Sequence, residues 1–68
     1  MMNDKVYVVT DGKMFNSLFT LYEYLENHPT MIANEYEFNN LGNAVLTCIT
    51  YHVIDGKIKR LYVEHVKE

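Results

Sequence analysis

An Asp-Gly pair between two β-branched runs constrains the fold of this chain more than any other feature. Residues 44–54 read AVLTCITYHVI, residues 57–66 read KIKRLYVEHV, and Asp55-Gly56 lies between them. Glycine accepts positive φ without steric cost and aspartate tolerates it, so the pair predicts a tight hairpin turn. With a two-residue loop Ile54 faces Lys57. The pairs Val53/Ile58, Tyr51/Arg60, Ile49/Tyr62, Thr47/Glu64 and Val45/Val66 then fall on one face, and His52/Lys59, Thr50/Leu61, Cys48/Val63 and Leu46/His65 on the other. The first face is the expected core side. A three-residue bulged loop would instead shift one strand by one position and swap the faces of residues 57–66.

The rest of the chain supplies what the hairpin packs against. KVYVVT (residues 5–10) is a strand ending in Asp11-Gly12-Lys13, whose return arm has room only for Met14-Phe15, because Asn16 and Ser17 offer N-cap side chains. The spacing Leu18, Leu21, Tyr22, Leu25 predicts an amphipathic helix with Thr20, Glu23 and Asn27 on its far side. Thr20 and Glu23 form an alternative capping box for a later start, and Pro29 ends the helix at His28. Phe19, on the flank of the stripe near the helix start, is expected in the core, and Tyr24 and Glu26 toward solvent. Residues 30–43 suit either a strand, from the alternation Glu35-Tyr36-Glu37-Phe38, or a second short helix between Thr30 and Leu41-Gly42-Asn43; the strand is preferred.

The expected fold is a single α+β domain, β-β-α-(β)-β-β, a two-layer arrangement in which one helix covers an antiparallel sheet of four to five strands. Leu46, Cys48, Leu61 and Val63 then lie on the face away from the helix. Residues 30–41, a second copy of the chain or a partner are expected to cover them.

A chain of 68 residues buries only about 60% of the surface its unfolded form exposes, and its single cysteine permits no internal disulfide. Disulfide-dense secreted domains of this size are a poor comparison, and Met1 to Lys5 leads into a strand with no basic start followed by an apolar segment. No apolar run approaches a membrane span. A soluble cytoplasmic protein is the expectation.

Catalytic and metal signatures are weak. His52 and the position opposite His65 are about 20 Å apart along the strand, too far for one ion. Cys48 and His65 would be diagonal neighbours, but two ligands are not a site, nor is a carboxylate placed to orient the histidine. Cysteine in a strand is ordinarily a small buried apolar residue. Asp11 and Asp55 are explained by their turns, and no phosphate-binding glycine loop is present. The expectation is a non-enzymatic protein without metal or cofactor.

The formal net charge is −3, unevenly spread: every Lys and Arg lies at or before Lys13 or at or after Lys57, while Glu23, Glu26, Glu35, Glu37 and Asp55 occupy the interval. The plainer reading is a solvated helix face and loop that happen to lack lysine. The functional expectation is an anionic, tyrosine-bearing surface of Glu23, Tyr24, Glu26, Glu35, Tyr36 and Glu37 that engages a protein with a basic surface. An alternative is a small nucleic-acid-binding module using Lys57, Lys59 and Arg60 with Tyr51 and His52, opposed by the overall acidity. A third is a self-assembling module, a homodimer closed through the second sheet face or a sheet edge. In size, in abundant Asn, Tyr and Lys, and in scarce Pro, Ala and Arg, the chain resembles the small accessory proteins of bacteriophages. That likeness implies an inhibitor or modulator of a host protein.

Overall fold

The computed structural model describes residues 4–63. It contains β1 (Lys5–Val9), β2 (Met14–Phe15), α1 (Leu18–Asn27), β3 (Ala33–Phe38), β4 (Ala44–Ile54) and β5 (Lys57–Tyr62). The strands form one antiparallel five-stranded sheet in the order β2-β1-β3-β4-β5, with α1 across one face. This is the expected α+β domain and element order. Among the described residues no helix is long and apolar enough to cross a membrane.

The Asp-Gly turn sets the register as its chemistry requires. Asp55 has φ 54° and Gly56 φ 77°, and a two-residue turn with both central residues at positive φ matches the right-handed twist of the strands it joins. Ile54 pairs with Lys57, Val53 with Ile58, Tyr51 with Arg60 and Ile49 with Tyr62, so the bulged three-residue alternative does not occur. Cys48 accepts the Val63 N–H at 2.7 Å, one step further along the same register. The expected pairs of Thr47, Val45 and Leu46 with Glu64, Val66 and His65 lie outside the described residues.

Residues 33–38 form a strand, not a helix, and that strand is the middle of the sheet. β3 pairs with β1 through Val9/Ala33, Tyr7/Glu35 and Lys5/Glu37, and with β4 through Ala33/Tyr51, Asn34/Thr50 and Tyr36/Leu46. The segment therefore does not cover the second sheet face. The β3–β4 pairing is interrupted between Asn34 and Tyr36, where Glu35 alone faces Thr47, Cys48 and Ile49. Cys48 takes φ 68° within this bulge, a left-handed backbone unusual for a residue other than glycine.

Helix α1 begins where Ser17 takes extended backbone angles (φ −143°, ψ 149°) and its Oγ accepts the Thr20 N–H at 3.2 Å. That N-cap satisfies one of the donors a helix start leaves unpaired, so the later Thr20–Glu23 start is not used. At the other end His28 leaves the helical region, as the residue before Pro29 must.

Leu21 and Leu25 descend from α1 onto Tyr7, Val9, Ala33 and Tyr51, and these six make the buried core. Ile49, Val53 and Ile58 from the expected hairpin face pack at its border, as do Phe15 and Tyr22. Val45 and Tyr62 lie beyond the reach of the ten-residue helix and remain exposed. On the opposite face one row of paired residues crosses all five strands, Met14, Val8, Asn34, Thr50 and Leu61. His52 and Lys59 pair on one side of that row, and Tyr36 and Leu46 on the other.

Candidate functional site

A helix has one direction for its core contacts, and here Leu21 and Leu25 fix it. At 3.6 residues per turn Phe19 lies about 200° around the helix from Leu21, so it points away from the sheet. Phe19 is 79% exposed, which overturns its expected place in the core. Leu18, Phe19, Tyr22, Glu23 and Glu26 line a shallow groove of about 360 Å³ along the outer side of α1. Its floor is apolar and aromatic, and both of its ionisable carboxylates come from a helix that has no cation. Tyr22 is anchored from beneath, with its ring edge-on to that of Tyr51 at 6.0 Å. Phe19 has no such support, and an exposed aromatic beside two carboxylates is an anchor for a surface that is apolar and basic.

The six residues of the expected anionic surface do not come together. Glu23 and Glu26 lie exposed on α1. Tyr24 turns to the other flank of the helix, half-buried, where its ring packs on Phe15 (5.2 Å) and stacks on His28 (4.1 Å). Its hydroxyl donates to Asp11, whose other carboxylate oxygen accepts the Lys13 N–H at 3.0 Å. These hydrogen bonds hold the Asp11 carboxyl below the usual carboxylate range, and the neighbouring carboxylate pushes the Tyr24 phenol up. Tyr24 thus pins α1 to the first hairpin turn. Tyr36 projects from the face opposite α1, and Glu37, half-buried, pairs with Val45 on the helix side.

Glu35 is the largest departure, since it is 3% exposed. Its carboxylate accepts from the Tyr51 hydroxyl at 3.0 Å and from Thr47 Oγ1 at 2.9 Å. Arg60 Nε donates to the same Tyr51 oxygen at 3.2 Å and brings a positive charge to the network. Burial first, then the Glu35 charge, pushes the Tyr51 phenol up to about 12 despite the opposing Arg60 hydrogen bond, and Tyr7 beside it is raised for the same two reasons. Glu35 belongs to the interior and cannot face a partner.

The alternative basic set also divides. Tyr51 is fully buried, and Arg60 is tied to it on the helix side. Lys57, Lys59 and His52 lie on the other side of the sheet, with His52 Nε2 within 3.1 Å of Thr50 Oγ1. Among the described residues no three His, Cys, Asp or Glu side chains are placed to share a metal ion. The expected neighbour of Cys48, His65, lies outside the described residues.

Of the expected surface only Glu23 and Glu26 remain in the groove, joined by Leu18, Phe19 and Tyr22. The signal for Phe19 was present in the helical spacing, since it falls opposite Leu21 and Leu25 rather than beside them. The chain matches no protein-family model, no curated protein and no solved structure.

Proposed function

We propose that this chain is a non-enzymatic protein-binding module that docks the outer face of α1 on a basic, partly apolar protein surface. Phe19 is the anchor, Leu18 and Tyr22 extend its apolar contact, and Glu23 and Glu26 form the anionic rim. The observation that carries the proposal is the 79% exposure of Phe19 in a groove flanked by both helix carboxylates. A buried aromatic anchor with a charged rim is the usual division of labour at a protein interface, the aromatic setting affinity and the charges steering association. The role that suits so small a domain is a stoichiometric inhibitor or modulator of a larger protein, as phage accessory proteins are, acting in the cytoplasm.

Affinity capture from a bacterial lysate tests this with three proteins, the wild type, Phe19→Ala and Glu23→Lys/Glu26→Lys. The wild type should retain one protein stoichiometrically through nuclease treatment, and less of it as salt rises. Each variant should lose at least about tenfold in affinity with an unchanged Tm. Capture that both variants retain would remove α1 from the interface. Capture that disappears with nuclease would transfer the function to nucleic acid.

A further inference from the structure

The sheet face opposite α1 carries apolar side chains around the polar Asn34 and Thr50 at its centre, is not covered by any described element, and has a charge arrangement that matches itself. Met14 is 65% exposed there, and Phe38, Leu46, Ile54, Leu61 and Val63 are exposed beside the half-buried Val6, Val8 and Tyr36. A patch of this kind on a small domain marks an interaction surface. Its cations gather at one corner, where Lys57 and Lys59 of β5 adjoin His52. Apart from Asp55 in the turn beside Lys57, its acid among the described residues is at the diagonally opposite corner. Asp4 precedes Val6 by one strand repeat, and its carbonyl accepts the Phe38 N–H at 3.0 Å, so it continues the β1–β3 pairing on this face.

We propose that this face pairs with the same face of a second copy of the chain, about a two-fold axis running diagonally from Met14 toward Leu46. Such an axis exchanges the other two corners. It sets Lys57 and Lys59 of each copy against Asp4 of the other and leaves Met14, Val8, Asn34, Tyr36 and Leu46 to meet along the axis. The same operation crosses the strands of the two sheets at roughly 50°, because the axis runs about three strand spacings across the sheet for one two-residue step along it. A two-fold interface must be self-complementary, and this charge arrangement is. Five strands about 4.8 Å apart and about 17 Å tall give a footprint of roughly 400 Å², so a pair buries on the order of 1,000 Å². That is the lower limit for a specific interface, so the dimer is expected to be weak. The pairing uses the face remote from α1, so it leaves the Phe19 groove of each copy outward and is independent of what that groove binds.

Sedimentation equilibrium of the full chain from about 10 μM to about 1 mM in low salt tests the proposal. The apparent mass should rise toward twice that of the chain. Leu46→Lys/Leu61→Lys, with its fold verified by circular dichroism, should remain monomeric at 1 mM. Lys59→Glu should weaken the dimer at least tenfold, and adding Asp4→Lys to it should restore the dimer. A monomeric wild type at 1 mM would overturn the proposal. So would a dimer that survives the double lysine variant, or a monomer that binds single-stranded oligonucleotide through Lys57 and Lys59.

Discussion

Glu35 holds its place only because β4 and β5 supply what a buried carboxylate requires. Tyr51 and Thr47 donate to it, and Arg60 brings a positive charge through Tyr51. Removing the carboxylate would leave the buried Tyr51 hydroxyl without an acceptor, which costs more than the hydrogen bond itself contributes, while Thr47 Oγ1 keeps the Glu35 carbonyl at 3.3 Å. Glu35→Ala is expected to lose about 2 to 4 kcal/mol of stability, and Glu35→Gln, which keeps one acceptor oxygen, about half as much, by urea denaturation. Tyr51 makes the same network sensitive to alkali. Burial pushes its phenol from the ordinary 10.0 up to about 12, so between pH 10 and 12 the unfolded chain releases a proton that the folded chain keeps. The unfolded state then binds fewer protons, and stability falls as pH rises through that window. Tyr7 adds in the same direction. Tyr51→Phe should flatten the decline in Tm above pH 10, and an unaltered slope would refute the assignment. None of this was legible in the sequence, where Glu35-Tyr36-Glu37-Phe38 alternates as if both glutamates faced water. Burial of the first depends on donors 12 and 16 residues away and on the bulge at Cys48 that turns Thr47 toward it.

At the scale of elements, local chemistry carried the prediction wherever it was sufficient. Asp55-Gly56 fixed the pairing from Ile54/Lys57 to Ile49/Tyr62 because the turn geometry leaves no other register. Leu21 and Leu25 fixed the buried side of α1. Residues 30–43 were ambiguous because a six-residue strand with one buried carboxylate lacks a clean period, and only its pairing on both edges with β1 and β4 decides its state. Within α1 the residues divide sharply between folding and binding. Ser17→Ala removes the cap on Thr20 and should cost about 1 kcal/mol, lowering Tm by roughly 4 to 8 °C. Phe19→Ala removes an exposed ring from a helix and replaces it with a better helix former, so thermal denaturation should show no loss or a small gain. A loss as large as that of Ser17→Ala would mean that Phe19 is a core residue after all.

For the molecule as a whole, charge is divided between two surfaces that the sequence shows only as an interval without cations. The α1 side presents Glu23 and Glu26, and the open sheet face presents Lys57 and Lys59 at one corner. The expected acidic surface failed as a set because neighbours along a strand project from opposite faces, which sends Tyr36 away from Glu35 and Glu37. The basic set failed for the same reason, with Arg60 and Tyr51 on one side and Lys57, Lys59 and His52 on the other. The open face also bears on stability, since six residues are a small core for the 60 described and the single cysteine permits no internal disulfide to supplement it. If two copies cover that face, association and folding are linked, and stability becomes a function of concentration. Raising the protein concentration a hundredfold should increase the wild-type Tm by roughly 5 °C, because the dimer is populated only by folded chains. Leu46→Lys/Leu61→Lys should show a Tm independent of concentration and equal to that of the dilute wild type. Equality at the dilute limit matters most, because it separates loss of the partner from damage to the fold. A double variant that melts well below the dilute wild type would show that Leu46 and Leu61 stabilise the monomer, and the face would owe its apolar character to folding alone.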